Sequence, residues 1–176
     1  MALPLLPIVI LLLVALVVYF VFASFAYGAG YQPTPRPVVE RMLELADVGP
    51  TDHVFDLGAG TGAIVFRAAR VRGATVLGVE VEPLRILILR LRRRFGPAAD
   101  RIRIEWGNLF DLDYRPATVV ALFLWPEAMR RLRPRFEAQL QAGARVVSYY
   151  HPMPGWTPAA VDEDLKVYLY RWTPAG

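Results

Sequence analysis

The sequence predicts an α/β domain with a mostly parallel sheet and helices on both faces, preceded by one transmembrane helix. Short apolar runs alternate with segments of helical periodicity across residues 37–172, a pattern typical of parallel strands joined by crossover helices. A glycine-rich turn follows the first apolar run, and no charged side chain occurs before Arg36. These observations predict a doubly wound sheet behind a hydrophobic N-terminus.

The N-terminal segment "LPIVILLLVALVVYFVFASFAY" is longer than the roughly 20 apolar residues that cross a bilayer core. "ASFAYGA" would fit a cleavage site, but a signal peptide would also begin with basic residues. Because Arg36 and Arg41 follow the segment, the positive-inside rule predicts a single-pass cell-membrane protein with a cytoplasmic domain. We divide the chain into a transmembrane signal anchor at 1–27, a Gly/Pro linker at 28–36 and a domain at 37–176.

Within the domain, helices and strands are expected to alternate in chain order. Helical spacing or a helix-opening proline predicts helices at 37–48, 62–72, 83–96 and 127–141, the last with a break at Pro134. Apolar or alternating runs predict strands at 52–58, 75–83, 101–111, 117–127, 144–152 and 165–172.

Composition narrows the chemistry that the protein can perform. The 176 residues contain no cysteine and two histidines, so the sequence predicts no disulfide, no thiolate nucleophile and no metal site. The net charge of +4 is carried almost wholly by arginines, since Lys166 is the one lysine. Beside a hydrophobic segment, this charge favours an anionic membrane surface over nucleic acid as a partner.

The turn "DLGAGTG" has the pattern of a nucleotide-type cofactor site at the end of a first strand. A dinucleotide fingerprint would read Gly-x-Gly-x-x-Gly, whereas this turn has Gly58, Ala59, Gly60 and Gly62 after Asp56. A carboxylate at Asp56 would repel a pyrophosphate and suits the ammonium of a methionine moiety.

Two later strand ends complete the predicted cofactor site. Glu80 is placed to accept hydrogen bonds from ribose hydroxyls, as in NAD sites. Asn108 is expected at an adenine edge, with Leu109 beside it. Together with Asp56 they predict S-adenosylmethionine (SAM) as the cofactor; the alternative for the turn alone is a tight strand-to-helix connection.

At this point the chain resembles the small seven-β-strand protein-lysine methyltransferases. The motifs are "VFDLGAGTG", "GVEVEP" and the more specific "FLWPEAMRRLRPRFEAQLQAGARVVS", with Trp156 beyond it. The group includes enzymes acting on the ATP synthase c-subunit and on the adenine nucleotide translocase, together with archaeal and bacterial homologues. The resemblance covers residues 31–173 and implies a Rossmann-like class I methyltransferase sheet, mostly parallel with an antiparallel last strand.

The resemblance also implies that the methyl acceptor is a lysine, but the chain departs from the family motif in one loop. The family loop usually reads Gly-Asp-Gly-Arg, where this chain has Gly60-Thr61-Gly62-Ala63. We still expect the chain to bind SAM, but the altered loop weakens the inference that its acceptor is a lysine. The hydrophobic N-terminus is similar to that of mitochondrial members and implies a membrane-protein acceptor.

A lysine acceptor must lose its proton, and a desolvated aromatic pocket both lowers its pKa and holds the amine. Each candidate side chain also has a structural interpretation, as a core cap, a core histidine or a helix-start carboxylate. Tyr149 and Tyr150 are expected on opposite faces of their strand, so at most one of them lines the site. The candidates are Trp125, Glu127, Tyr149, Tyr150, His151 and Trp156.

The segment "PLRILILRLRRRFG" predicts a helix with one apolar face against the sheet. That face comprises Leu84, Leu87, Ile88, Leu91 and Phe95. Ile86 and Leu89 then lie among the arginines Arg85, Arg90, Arg92 and Arg93, which fits either a helix on anionic headgroups or a solvated surface.

These expectations predict a membrane-anchored SAM-dependent methyltransferase acting on a protein lysine near the membrane. Two alternatives are a methyltransferase acting on a membrane-resident aminolipid or quinone precursor and a protein that binds SAM without turnover. The presence of Asp56, Glu80 and Asn108 together argues against the last.

Overall fold

Residues 5–26 and 32–173 are described by a computed structural model of the protein, with residues 20–26 described by their helical backbone alone. The chain divides between residues 32 and 33 into two units. The first contains helix α1, Leu5–Ala26.

The predicted transmembrane helix is wrong. Among the residues that the structure describes, no helix is both long enough and apolar enough to cross a membrane.

The second unit alternates strands and helices as the sequence predicts, with one additional strand. Its helices are α2 (Arg36–Leu45), α3 (Ala63–Arg67, continued by a π-helical turn over Ala68–Arg72), α4 (Pro83–Phe95) and α5 (Pro126–Gln139). Its strands are β1 (His53–Leu57), β2 (Thr75–Glu80), β3 (Ile102–Trp106), β4 (Val119–Leu122), β5 (Arg145–Tyr149), β6 (Ala160–Asp162) and β7 (Val167–Arg171). The short strand β6 was not predicted.

The seven strands form one sheet in the order β3-β2-β1-β4-β5-β7-β6. Strands β1 to β5 pair in parallel, whereas β7 is antiparallel to both β5 and β6. The predicted class I sheet is therefore confirmed. Strand order reverses between β1 and β4, which is where open α/β sheets bind ligands beyond the carboxyl ends of their strands.

Each face of the sheet has its own apolar core. Side chains of α2, α3 and α4, among them Met42, Phe66 and Leu89, cover one face, and Met129, Leu132 and Phe136 of α5 cover the other. Helix α5 continues through Pro134, so the predicted break is wrong. Pro134 is exposed, and water can hydrate the carbonyl group that the missing proline N–H leaves unpaired.

Helix α4 packs with a different face from the one that the helical wheel predicts. Its buried residues are Arg85, Ile86 and Leu89, while Leu87 and Phe95 of the predicted core face are exposed. The guanidinium of Arg85 lies near the buried carboxylates of Glu80 and Glu82. This charge pairing turns an arginine toward the sheet and leaves the apolar side chains outside.

Candidate functional site

The turn after β1 is built on glycines with left-handed backbones. Gly58, Gly60 and Gly62 have φ angles of 77°, 56° and 88°, which L side chains adopt only at a cost. A Cβ atom at Gly62 would lie 2.5 Å from the Phe66 ring and 2.7 Å from the Leu89 side chain. Glycine is required there for both the turn and the close approach of α3 and α4.

The N–H groups of this turn donate to the protein itself. Gly58 and Ala59 both donate to the carbonyl oxygen of Val79, at 3.0 and 2.9 Å, and Gly60 donates to Oε2 of Glu80 at 2.8 Å. A pyrophosphate site would instead direct such groups at the ligand. The arrangement therefore favours a ligand without phosphate.

Asp56 lies near the carboxyl end of β1, with 4% of its surface exposed. Burial raises the pKa of this carboxyl to about 7, a hydrogen bond with the Val65 backbone lowers it in part, and the charge of Glu80 raises it further. A cation beside Asp56 would favour the ionised form. The site thus fits a ligand that carries an ammonium group.

Glu80 joins the glycine turn to the start of α4. Its Oε2 accepts from Gly60, and its Oε1 accepts from the N–H groups of Val81 and Glu82 at 2.9 and 3.0 Å. A carboxylate has about four lone-pair positions, so these three bonds leave one for a ligand hydroxyl. Glu80 is consequently a structural residue of the loop as well as a candidate ribose ligand.

Glu82 supports this arrangement, although it was not among the predicted site residues. Its carboxylate caps α4 by accepting from the N–H groups of Leu84 and Arg85 at 3.0 and 2.8 Å. The signal was present, since an acidic residue directly before Pro83 is typical of a helix start.

Asn108 and Leu109 follow β3 at the same edge of the sheet. The Asn108 side-chain oxygen accepts from the N–H of Phe110 at 3.1 Å, which leaves its NH₂ group to donate to a ligand. Trp106, which was not predicted as a site residue, is exposed and donates from Nε1 to the Val81 carbonyl at 2.9 Å. Its place opposite Glu80 in the β2–β3 register puts it beside the candidate cofactor site.

Three exposed or half-buried rings form a row after β4 and β5, which we call the aromatic row: Trp125, His151 and Tyr150. The ring centroids of Trp125 and His151 are 5.6 Å apart, and those of His151 and Tyr150 are 5.0 Å apart. Leu124 connects the row to the glycine turn, because a Cβ atom at Gly58 would lie 3.3 Å from its side chain. The row therefore adjoins the candidate cofactor site.

The end of the row lies against the protein's one lysine. Lys166 Nζ is 4.6 Å from the centroid of the Tyr150 ring, and the Tyr150 N–H donates to the Lys166 carbonyl at 2.8 Å. Both residues have left-handed backbones, with φ of 69° and 53°. Tyr150 thus leaves the strand pleat, and its ring centroid lies 6.0 Å from that of Tyr149, so the expectation of opposite faces is wrong.

The remaining candidates lie in other environments. Tyr149 is half-buried and packs on Phe123 with centroids 4.5 Å apart. Glu127 is exposed and forms an ion pair with Arg130. Trp156 packs between Tyr170 and Trp172 on the α5 side of the sheet and donates to Glu137 at 3.1 Å. The structure places Trp156 outside the aromatic row.

Burial lowers the pKa of His151, which favours its neutral imidazole. Over residues 5–26 and 32–173, no group of three His, Cys, Asp or Glu side chains lies close enough to hold a metal ion.

Several known methyltransferases are similar in sequence to this chain. A family model described as the ANTKMT methyltransferase domain matches residues 56–160. A protein-lysine N-methyltransferase of Saccharolobus islandicus is 39% identical over 154 residues, which cover 84% of this chain and 96% of that protein. The adenine nucleotide translocase lysine N-methyltransferase of Mus musculus is 32% identical over 70% of this chain, which spans about half of the mouse protein's length.

A solved structure is similar as well. An RNA methyltransferase from Salinibacter ruber, crystallised with S-adenosyl-L-homocysteine, is 44% identical with a TM-score of 0.77. The match covers 80% of this chain and 93% of that one.

Proposed function

The chain belongs to the ANTKMT methyltransferase domain family, and on that premise we propose that this SAM-dependent methyltransferase transfers methyl groups to the amine of a protein lysine. The observation that carries the proposal is the aromatic row beside the glycine turn, where an exposed ring face already holds a lysine ammonium. The Saccharolobus islandicus relative, named a protein-lysine N-methyltransferase, supports the same acceptor.

We assign the cofactor-binding roles from the chemistry of the residues at the turn. SAM supplies a methyl group on a sulfonium, with an ammonium and a ribose on either side of it. Asp56 binds the ammonium, since its buried carboxylate gains a counter-charge there. Glu80 accepts from a ribose hydroxyl with its remaining lone pair, and Asn108 donates its NH₂ group to the adenine edge with Leu109 beside it. Gly58, Ala59, Gly60 and Gly62 shape the turn.

The aromatic row aligns the acceptor. Methyl transfer from a sulfonium is an in-line displacement, so holding the amine on the line of the breaking bond contributes most of the protein's effect. The faces of Trp125 and Tyr150 attract an alkylammonium while removing it from water, which lowers the pKa of the amine. His151 lies between them, and its position makes its imidazole the candidate acceptor for the proton that the ammonium must lose.

The test is transfer of labelled methyl from SAM to a mixture of soluble proteins, followed by mass spectrometry of digested products. The enzyme carries Lys166→Arg, which removes its one lysine, so every methyl-lysine comes from an acceptor. We expect methyl-lysine in the added proteins, and less of it at the same acceptor concentration with Trp125→Ala. Label without methyl-lysine would contradict the proposal, and label in extracted lipid would favour the small-molecule alternative.

RNA is a second candidate acceptor, because the Salinibacter ruber relative at 44% identity is named an RNA methyltransferase. An arm of the same experiment with total RNA distinguishes the two: methylated nucleosides without methyl-lysine would replace the lysine assignment.

The finer prediction concerns a membrane-protein acceptor. Relatives named as lysine N-methyltransferases of the adenine nucleotide translocase and of the ATP synthase C-subunit support it. We expect methyl-lysine to be enriched in detergent-extracted membrane proteins over cytosolic proteins when equal amounts are labelled. Equal labelling of both fractions would show that the acceptor is not restricted to membrane proteins.

A further inference from the structure

A pocket rich in arginines lies outside the candidate catalytic site, between α2, α3 and α4. It has a volume of about 250 Å³, and its lining includes Arg36, Arg67, Arg70, Arg92, Phe66 and Val71. None of the described residues that line it is acidic. We call it the arginine pocket.

The guanidinium groups of the arginine pocket lie around one ring and one carboxylate. Those of Arg70 and Arg92 lie 5.0 and 4.5 Å from the centroid of the same Phe66 ring. Arg36 and Arg67 share the carboxylate of Glu40. Glu40 balances only one of the two charges of Arg36 and Arg67, and an anion in the pocket would offset the positive charge that remains. The pocket therefore has the chemistry of a phosphate site.

An exposed apolar stripe runs along α4 and begins next to the arginine pocket. Leu87, Leu91 and Phe95 are 52%, 48% and 81% exposed, and their spacing of four places them on one helix face. At about 100° per residue, Phe95, Leu91 and Leu87 lie about 60°, 100° and 140° around the helix from Arg92, so the stripe begins beside the pocket and turns away from it. Val71, which lines the pocket, is also exposed. Phe95 and Val71 are therefore the exposed apolar side chains next to the arginines of the pocket.

We propose that this surface binds the face of an anionic bilayer, with a lipid phosphate in the arginine pocket and the α4 stripe at the headgroup boundary. Helices that lie on membranes combine apolar side chains with flanking arginines in this way, and each arginine near the surface adds affinity. Aromatic side chains among the arginines would be expected for RNA, whereas the side chains that protrude here are mostly aliphatic.

The full chain contains no cysteine, so one engineered cysteine carries a unique environment-sensitive fluorophore. We would label Phe95→Cys on α4 and, as the matched control, Ala138→Cys, which is exposed on α5 at the opposite face of the sheet. With vesicles of phosphatidylcholine and phosphatidylglycerol, we expect a blue shift and quenching by lipid-borne nitroxide at position 95 only. If the chain binds vesicles through another segment, position 95 stays unchanged and the proposal is wrong.

The arginines are tested in the same labelled chain. Arg36→Gln with Arg70→Gln should weaken the vesicle response about 30-fold, the equivalent of about 2 kcal/mol for two arginines. The matched control, Arg103→Gln with Arg115→Gln, removes the same charge from exposed positions elsewhere. It should change the free energy of vesicle binding by less than about a third as much. Equal losses for both pairs, or a position-95 response to single-stranded RNA but not to vesicles, would overturn the proposal.

Discussion

Asp56→Asn should stabilise the ligand-free protein, although it removes a residue that we assign to the cofactor. The Asp56 carboxyl has a pKa of about 7 in the folded chain against 3.8 as its ordinary value. A raised carboxyl pKa costs stability once the group ionises, so the cost is absent below pH 3.8 and complete above about pH 7. At about 1.36 kcal/mol per pKa unit, it reaches at most about 4 kcal/mol. Asparagine keeps the shape and does not ionise.

Urea unfolding at about pH 8 and about pH 4 measures this difference. We expect the variant to be more stable at the higher pH and equal to the parent chain at the lower one. Asp52→Asn is the matched control, because Asp52 is also buried beside β1 but accepts from Thr118 and Arg145. Loss of a charged partner there should destabilise the fold by about 1.5–3 kcal/mol.

SAM should narrow the difference in stability between the two proteins at about pH 8, because it binds the parent chain more tightly than the variant. A ligand at about 100 times its Kd stabilises a fold by about 2.7 kcal/mol, and the loss of the Asp56 charge should weaken SAM binding at least about tenfold. The reasoning is refuted if Asp56→Asn lowers stability at both pH values, or if calorimetry finds the same SAM affinity as in the parent chain.

Three further variants test the turn and the aromatic row. Glu80→Gln should weaken SAM and S-adenosylhomocysteine by similar factors, measured by calorimetry, because both carry the ribose; a change in the acceptor's KM alone would exclude the role. Gly62→Ala should lower the free energy of unfolding by about 1–3 kcal/mol more than Gly143→Ala, since both have positive φ but Gly143 has no atom within 4 Å of an added Cβ. Trp125→Ala should raise the acceptor's KM and leave SAM affinity unchanged; weakened SAM binding would place Trp125 in the cofactor site.

The sheet and the cofactor turn could be predicted because their signals are local. Alternate glycines after an apolar strand are typical of a left-handed turn wherever they occur, and Asp56 and Glu80 stand at strand ends in any parallel arrangement. The sequence could not show that Glu80 holds the turn with three backbone hydrogen bonds, since these depend on how β2 meets the loop. The SAM roles of these residues stay predictions.

Tertiary contacts decided the features that were predicted wrongly. The wheel for α4 treated every arginine as solvated, whereas Arg85 is buried beside two carboxylates. Strand β6 has three half-buried residues, too few for a periodic signal, and exists because β7 offers it an edge. Tyr150 follows a strand-like run in the sequence, and its left-handed backbone becomes visible only with the end of β5–β7 pairing at Tyr149 and Val167. The membrane localisation and cytoplasmic orientation stay predictions, without the spanning helix on which they depended.

The left-handed backbones of Tyr150 and Lys166 place an exposed ring of the aromatic row at a cost in the stability of the fold. Each non-glycine residue in this conformation costs about 1–2 kcal/mol, which glycine would not incur. Selection for heat resistance alone would therefore favour glycine at both positions and discard the ring. At this corner the chain therefore gives up some stability to present a ring and an ammonium group beside the candidate cofactor site.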